Sequence, residues 1–497
     1  MRIPAGAALR RTLAIDEVLP LVDLRPFVGG VHTDVEAVAM LEITDPGTGR
    51  AIARLPEAQQ ADVHRAVGAA RQAFDEGPWP RMTPAERGAC LIRLAGLIER
   101  DQAELALLES LDTGKPFAGV QSWDIGTAAQ TYRYYADLAT HAVDEALPAP
   151  DGVQVTLRRE PVGVCAVIVA WNFPFACAAW KLAPALAAGC TVVVKAPERA
   201  PLSLHALAAR IAEAGFPPGV VNIVTGIGQV AGTALVSDPR IDMISFTGST
   251  ATARAITRAS AWRIPPIVTE LGGKGASAVF PDADLDRALA ATVDGAFGLA
   301  GQNCCAASRL LVHRDIYDDF VSSLTDHAQR RRLGDQFDDA TEQGPQIDEA
   351  HLEAIDSMVQ DALADGAHAE TGAALGLPGP LHYQPTVLTN VSTQAKISHD
   401  EVFGPVVCIY PFRDLDEAIT IANNSSYGLS ASVWTTSTGT ADRFTDSVRV
   451  GTVWVNCFGY FMPHIPWGGV KLSGNGRELG PAGISEYLVT KTVCRAL

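Results

Sequence analysis

The chain has 497 residues, of which 47% are hydrophobic, and a formal net charge of −17. A length near 500 allows about three units of ~150 residues, and the acidic balance disfavours nucleic acid and anionic membranes as partners. No segment reaches the ~18–20 apolar residues of a membrane helix. We therefore expect a cytoplasmic globular protein, with a transit peptide as the alternative, because the segment before Asp16 carries arginines and no acid.

The nine cysteines form no CxxC pair, and Cys304 and Cys305 are adjacent. Neighbouring cysteines bridge each other only with strain, so a disulfide framework is disfavoured and a reducing compartment is favoured. A structural zinc site is also disfavoured, because the usual ligand pairs are missing. We predict no metal.

The first third of the chain is predicted to be rich in helices. Apolar residues from Val63 to Phe74 follow a helical period over 61–76. At 83–86, "TPAE" combines a Thr N-cap, a proline at the first helical position and a glutamate three residues after the cap.

Strands and helices alternate from residue 160 onwards. The predicted strands are 162–170, 191–196, 220–226, 241–248 and 265–273, with helices at 175–189 and 203–214. Short apolar strands separated by helices indicate an α/β fold with a doubly wound parallel sheet, which binds ligands at the carboxyl ends of its strands.

A second alternating block follows the first. Its predicted strands are 308–313, 407–412, 431–435 and 451–456. Two isolated strands, at 153–161 and at the end of the chain, are expected to form an additional sheet that bridges subunits.

Two glycine-containing turns follow strands of the first block. Gly226, Gly228 and Gly232 form a G-x-G-x-x-x-G pattern, and "FTGST" places Ser249 at a helix start. Such turns admit a phosphate at a helix N-terminus, but the first spacing is one residue longer than the usual fingerprint. The glycines are alternatively required for packing alone, and Ser249 alternatively serves only as an N-cap.

Three residues have the chemistry for nucleophilic catalysis. Cys304 supplies a thiol, Asn172 in "WNFP" an amide donor, and Glu270 in "TELGG" a carboxylate among apolar residues and glycines, whose pKa burial would raise. Taken singly, each is more often a turn, surface or core residue. Only their joint occurrence favours catalysis.

Ordered motifs carry a resemblance that spans roughly residues 50 to 490. They are "WNFP" with "WKLAPALAAG", "KAPERAP", "FTGS", "ELGGK", "GQNCCAASR", "EVFGPV" and "PWGGVKLSGNGRELG". The chain resembles the NAD(P)-dependent aldehyde dehydrogenase superfamily, and its motifs are most similar to those of betaine-aldehyde and aminoaldehyde dehydrogenases.

The resemblance implies two doubly wound α/β domains and a small β element. We expect a cofactor-binding domain at 25–142 and 162–272, a catalytic domain at 273–481, and oligomerisation strands at 143–161 and 482–497. It also implies a homodimer or homotetramer.

The resemblance implies oxidation of an aldehyde to its acid in two stages. Cys304 attacks the aldehyde, while Asn172 and the Cys304 N–H stabilise the oxyanion. After hydride transfer to NAD(P), water activated by Glu270 hydrolyses the thioester. Lys181 and Glu478 match a proton path near Glu270.

The resemblance also assigns binding residues. Those expected at the cofactor are Trp171, Lys195, Glu198, Gly228, Gly248, Ser249, Leu271, Glu401 and Phe403. Glu198 favours NAD, because an acid at the ribose repels a 2′-phosphate, whereas the neighbouring Arg199 keeps NADP open.

The residues expected at the aldehyde are Phe173, Cys177, Trp180, Asp124, Gly298, Phe461 and Trp467. Trp180 and Trp467 match two walls of an aromatic box that holds a cation. Phe173 replaces a Tyr wall, Gly298 replaces a Trp wall, and Asp124 is placed to meet an amine. The substrate is therefore an aminoaldehyde, betaine aldehyde or a bulkier apolar aldehyde. A CoA-acylating enzyme and a non-catalytic binding protein are the alternatives, and Glu270 argues against the first.

Overall fold

The computed structural model describes residues 6–35, 39–141 and 144–497. The strands are β1 (Phe27–Val28), β2 (Val31–His32), β3 (Met40–Asp45), β4 (Arg50–Pro56), β5 (Glu145–Leu147), β6 (Val153–Pro161), β7 (Val164–Ile168), β8 (Thr191–Ala196), β9 (Val221–Thr225), β10 (Met243–Thr247), β11 (Ile267–Glu270), β12 (Ala276–Val279), β13 (Arg309–His313), β14 (His368–Thr371), β15 (Thr386–Thr389), β16 (Val406–Phe412), β17 (Ser430–Trp434), β18 (Thr452–Val455), β19 (Gly474–Asn475) and β20 (Leu488–Ala496).

Helices separate most of these strands. They are α1 (Ala7–Thr12), α2 (Gln60–Asp75), α3 (Pro84–Arg100), α4 (Gln102–Thr113), α5 (Phe117–Gly119), α6 (Gly126–Leu138), α7 (Pro174–Ala188), α8 (Leu202–Glu213), α9 (Thr233–Ser237), α10 (Thr250–Ser260), α11 (Leu285–Phe297), α12 (Tyr317–Arg330), α13 (Glu349–Ala364), α14 (Lys396–His399), α15 (Leu415–Asn423), α16 (Thr438–Ser447) and α17 (Gly480–Ser485). Thr83 caps α3 in the predicted capping box with Glu86.

The first sheet has the order β19-β11-β10-β7-β8-β9-β1-β2. Its five central strands are parallel, and all five were predicted from their apolar runs. Strands β7, β8 and β9 are buried along their whole length, as expected of strands covered by helices on both faces.

The second sheet has the order β14-β15-β16-β13-β12-β17-β18 and is parallel except for β14. The two sheets confirm the predicted α/β class. The central strand β12 was not predicted, because its four residues give too short an apolar run to distinguish a strand from a buried loop.

The two isolated strands of the prediction pair with each other. β20 and β6 are antiparallel over nine residue pairs, and the short β5 extends them to a three-stranded sheet. The β3–β4 hairpin was missed by the sequence analysis.

A short strand from the region predicted as catalytic joins the first sheet. In β19, Gly474 lies opposite Glu270 of β11. A Cβ on Gly474 would lie 1.9 Å from the Thr269 carbonyl oxygen, so the pairing requires glycine. The segment that includes Trp467 and Glu478 is thereby held beside the carboxyl end of β11.

Among the described residues, none of the helices has both the length and the apolar character needed to cross a membrane. Within the same ranges, no group of three or more His, Cys, Asp or Glu side chains is arranged to hold a metal ion.

Candidate active site

A cavity of about 1040 Å³ lies at the carboxyl ends of β7, β8, β10 and β11. The predicted site residues that line it are Cys304, Glu270, Asn172, Glu478, Trp171, Lys195, Glu198, Gly228, Gly248, Ser249, Leu271, Glu401, Phe403, Phe173, Cys177, Trp180, Asp124, Phe461 and Trp467. Lys181 and Gly298 are not among its lining residues. The fold thus gathers side chains that are as far apart in the chain as Asp124 and Glu478.

Cys304 lies on a loop with tightly constrained backbone. Leu299 and Ala300, just before it, have φ values of 53° and 55°. A Cβ at Gly301 would lie 2.0 Å from the Gly404 carbonyl carbon, so only glycine fits there. The loop is therefore fixed against the segment that carries Glu401 and Phe403.

The Cys304 thiol shares an acceptor with its neighbour. The Oδ1 atom of Asn303 lies 3.8 Å from Cys304 Sγ and 3.2 Å from Cys305 Sγ. A hydrogen bond with Cys305, followed by burial, raises the pKa of Cys304 well above its ordinary value. The resting residue is therefore a thiol, which must lose its proton before it attacks a substrate.

Asn172 is bound to the nucleophile loop. It follows β7, and its Nδ2 donates to the Gln302 carbonyl oxygen over 3.0 Å. The Gln302 side chain is held in turn, because its Oε1 accepts from the Ile347 N–H at 2.9 Å. An amide nitrogen carries two hydrogens, so Asn172 keeps one N–H for an oxyanion beside Cys304.

Glu270 is the last residue of β11 and is 5% exposed. Its Oε1 has no hydrogen-bond partner within the described part of the chain. Burial, and then the charge of Glu478, raise the pKa of Glu270 well above its ordinary value. A buried carboxylate with a free oxygen and a raised pKa is suited to general-base work.

Glu478 and Lys181 form a buried ion pair behind Glu270. Lys181 is fully buried on α7, whereas Glu478 reaches the cavity. The pair gives Glu270 a charged neighbour at the inner end of the cavity, where the sequence analysis expected a proton path.

The other end of the cavity is made mainly of strand ends and turns. The Lys195 Nζ donates a hydrogen bond to Glu198 Oε2 over 2.6 Å. The turn at Gly228 follows β9, and a Cβ on Gly228 would meet no atom within 4 Å. The Ser249 hydroxyl accepts from the Thr252 N–H at 3.2 Å, so Ser249 caps α10 as well as lining the cavity.

These residues fit a dinucleotide. Thr247 Oγ1 is buried at the cavity wall without a hydrogen-bond partner among the described residues. The α10 N-terminus and the open turn at Gly228 offer main-chain N–H groups for a pyrophosphate. Lys195 and Glu198 offer a donor and an acceptor for ribose hydroxyls.

Glu401 is fixed between the two ends of the cavity. Its Oε1 accepts from the Gly273 N–H at 2.9 Å, and a Cβ on Gly272 would lie 2.0 Å from Oε2. Burial raises the pKa of Glu401 to about 7. Glycine at 272 therefore allows this carboxylate to reach the cavity.

The inner end is walled by aromatic rings. The Trp123 ring lies 5.1 Å from Phe173, 6.3 Å from Trp180 and 6.1 Å from Phe461, centroid to centroid. The Phe461 ring lies 4.8 Å from that of Trp467. All of these rings except that of Trp123 were predicted from the sequence to lie at the aldehyde.

Several lining residues were missed by sequence reasoning. They are Trp123, Leu299, Asn303, His351 and Phe458. Trp123 is adjacent to Asp124 in "SWDI", and Asn303 is the variable position of the nucleophile motif. Their positions within these motifs could therefore have identified both residues as cavity-lining. His351 and Phe458 become neighbours of the cavity only through the tertiary fold.

Asp124 does not offer a free carboxylate to a substrate amine. The Lys115 ammonium group pairs with Asp124 and also with Glu109, where Nζ to Oε1 is 2.9 Å. The three side chains are almost fully buried. Asp124 lines the cavity while it is paired with Lys115, so its predicted contact with a substrate amine would compete with that ion pair.

Gly298 was predicted to leave one wall of the aromatic box missing, and it is not itself a cavity-lining residue. Leu299, the next residue, lines the cavity instead. A Cβ on Gly298 would meet no atom within 4 Å. The position thus has room for a side chain, and its glycine leaves that room empty.

The chain is similar to known proteins over most of its length. The model of the aldehyde dehydrogenase family matches residues 32–493. Aldehyde dehydrogenase family 2 member B4, mitochondrial, of Arabidopsis thaliana is 42% identical, over 99% of this chain and 93% of its own length. Retinal dehydrogenase 2 of Homo sapiens is 43% identical, over 94% of this chain and 90% of its own length.

Solved structures are similar throughout the chain. Betaine aldehyde dehydrogenase of Staphylococcus aureus, in complex with NAD+, has a TM-score of 0.95 and 36% identity, and the match covers 97% of this chain and 96% of that one. The NAD+ complex of an aldehyde dehydrogenase from Bacillus cereus has a TM-score of 0.95 and 38% identity, with 100% of both chains covered.

Proposed function

The chain belongs to the aldehyde dehydrogenase family and is an NAD(P)-dependent aldehyde dehydrogenase, and we propose that it oxidises a bulky apolar aldehyde to its carboxylic acid with NAD. The predicted family and reaction are confirmed. The observation that carries the substrate class is the cage of rings around Trp123, next to an acid that Lys115 has already neutralised.

Cys304 performs the first stage of the reaction. The Cys304 thiol first releases its proton to solvent, and the thiolate then attacks the aldehyde carbon and forms a thiohemiacetal. Asn172 Nδ2 and the Cys304 backbone N–H donate to the oxygen as it becomes negative, and donors already in place are worth more in a site closed to water. NAD, when bound, supplies the hydride acceptor.

Glu270 performs the second stage. It takes a proton from water, which attacks the thioester on Cys304 and releases the carboxylic acid and the thiol. Its unpartnered Oε1 is the atom that can receive this proton. Lys181 and Glu478 keep a charge pair at the point where the proton must leave.

The cofactor is held by the residues at the outer end of the cavity. Glu198 accepts from a ribose hydroxyl and carries a charge that disfavours a 2′-phosphate, which favours NAD over NADP. Gly228, Gly248 and Ser249 border the pyrophosphate. Glu401 and Phe403 border the nicotinamide and its ribose.

The aldehyde end supports an uncharged substrate more than a cation. Aromatic rings bind apolar groups by burial, and two of the nearby acids are engaged, Asp124 by Lys115 and Glu478 by Lys181. A betaine-like aldehyde is the second candidate, because the faces of Trp123 and Trp180 can attract a cation without a carboxylate.

A CoA-acylating reaction is disfavoured, since Glu270 stands where water must be activated. A non-catalytic binding role is disfavoured by the proximity of Cys304, Asn172 and Glu270 around one cavity.

We also propose a cytoplasmic homodimer or homotetramer. The nine cysteines are free thiols, as in a reducing compartment. The three-stranded sheet exposes Val153 and Val489, which favours its proposed role in joining subunits.

A kinetic panel tests the substrate class. NADH formation is followed with phenylacetaldehyde, a long aliphatic aldehyde, aminobutyraldehyde and betaine aldehyde, each with NAD and NADP. We expect the two apolar aldehydes to exceed betaine aldehyde in kcat/KM by at least about tenfold, a difference of ~1.4 kcal/mol. A preference for betaine aldehyde would overturn the proposal.

The two adjacent cysteines provide an internal control for the same assay. Cys304→Ala removes the nucleophile and is expected to abolish turnover. Cys305→Ala removes a thiol with no assigned chemistry and is expected to retain at least about a tenth of kcat. Equal losses in the two variants would contradict the assignment of Cys304.

A further inference from the structure

Arg199 joins two distant parts of the chain at the outer end of the cavity. It follows Glu198 after β8, and its side chain is 42% exposed at the cavity wall. Its Nε lies 2.9 Å from Oδ2 of Asp348, at the start of α13. Arg199, the residue for which the sequence left NADP as an alternative cofactor, is therefore already paired with Asp348.

Asp348 uses its two oxygens for different partners. Oδ1 accepts from the His351 N–H at 2.8 Å and caps α13, while Oδ2 faces Arg199. A cap of this kind fixes the carboxylate on a 16-residue helix. Asp348 is thus rigidly placed, and Arg199 is the flexible member of the pair.

The charges around the expected ribose site are balanced. Lys195 pairs with Glu198, and Arg199 pairs with Asp348. A 2′-phosphate brings close to two further negative charges, and arginine is the side chain best suited to bind it. Here Asp348 holds that arginine and adds a negative charge of its own.

We propose that Asp348 is a positioning residue that determines cofactor choice, and that it excludes NADP by holding Arg199 away from the 2′-phosphate. The inference rests on the proposed cofactor site. Asp348 acts through Arg199 and has no role in the chemistry at Cys304.

The decisive variant is Asp348→Asn. Asparagine keeps the helix cap but removes the charge that holds Arg199. We expect kcat/KM with NADP to rise at least about tenfold, while kcat/KM with NAD falls less than about threefold. NADP+ titrated against the protein, with quenching of tryptophan fluorescence as the signal, is expected to bind at least about fivefold more tightly.

Three further variants separate this role from a structural one. Asp348→Glu keeps the charge and should keep the preference for NAD. Arg199→Gln in the Asp348→Asn background should cancel the gain in NADP binding. Glu353→Gln removes an exposed charge from the same helix and should leave both cofactors as in the parent.

The outcomes are distinguishable. An NADP-to-NAD ratio within twofold of the parent in Asp348→Asn overturns the inference, as does a gain that persists without Arg199. If Asp348→Asn does not fold, Arg199→Gln alone decides: a gain in NADP binding overturns the inference, and no gain supports it. Failure of the parent to oxidise any aldehyde would instead refute the proposed function, while the binding titration still tests Asp348.

Discussion

The two ends of the cavity are built in different ways. Most of the cofactor half, which includes Trp171, Lys195, Glu198, Gly228 and Ser249, comes from strand ends and turns of one stretch of chain, and a second segment adds Glu401 and Phe403. The aldehyde half comprises the rings of Trp123, Phe173, Trp180, Phe461 and Trp467, which come from three separate stretches of chain.

The two halves differ in construction because they bind different chemical groups. A pyrophosphate is bound by main-chain N–H groups, so the backbone shape matters and glycines mark it in the sequence. An apolar aldehyde is bound by side chains, which can change while the backbone stays the same. The aldehyde half is therefore the part in which related enzymes can differ most.

Glu270→Gln tests the point where the two halves meet and has the largest expected effect. Loss of a general base costs about 10²–10⁴-fold, so steady-state kcat should fall by that factor. The first stage needs no base at this position, so about one NADH per active site should form in a rapid burst. Stopped-flow absorbance checks this, and a variant without a burst would place Glu270 in the first stage.

The pH dependence of the same reaction has a defined sign. The raised pKa values of Glu270 and Cys304 mean that the carboxylate and the thiolate become more populated as pH rises. Turnover should therefore increase from neutral to alkaline pH, and the part of this increase that is due to Glu270 should be absent in Glu270→Gln. In that variant, the rate at which iodoacetamide alkylates Cys304 should still rise with pH. A flat profile in the parent enzyme would contradict both assignments.

Most of the first sheet was predictable from sequence, and the reason is burial. Strands such as β7 are apolar throughout because helices cover both faces of the sheet. β12 and β15 have only four residues each, and strands of that length depend on their neighbours for identity. The domain boundaries at 142, 162, 272 and 481 remain a prediction, and the pairing of β19 with β11 shows that the chain crosses back near its end.

The residues of the candidate site that lie within sequence motifs could be predicted. The positions of Cys304, Glu270 and Asn172 followed from residue type and order. The partners of those residues did not, because the Asn303 acceptor, the Lys115–Asp124 pair and the Arg199–Asp348 pair are contacts that the tertiary fold creates. Asp124 is an example, since this acid lines the cavity and is at the same time paired with Lys115.

Trp123→Ala sharpens the comparison within the aldehyde half. The variant removes the ring that neighbours Phe173, Trp180 and Phe461. We expect kcat/KM for phenylacetaldehyde to fall about 10- to 100-fold, the order of one large apolar group lost from a pocket, while KM for NAD changes less than about twofold. The matched control is Trp262→Ala, since Trp262 is 64% exposed and is not a cavity-lining residue. A parallel rise in KM for NAD would mean that the halves are not independent.

Asp124→Asn has the smallest expected effect on specificity. Burial raises the pKa of Asp124 to about 8, and Lys115 is the cation that faces it. Removing one member of a buried polar pair leaves the other less well satisfied, so the free energy of unfolding should fall by roughly 1–3 kcal/mol. The ratio of kcat/KM for aminobutyraldehyde to that for phenylacetaldehyde should stay within about twofold of the parent ratio, because the Asp124 carboxylate is already paired with Lys115. Urea denaturation and the two-substrate assay measure the two quantities separately.

A selective loss of kcat/KM for aminobutyraldehyde would show that Asp124 does recognise a cation and that the aldehyde half is more polar than its rings imply.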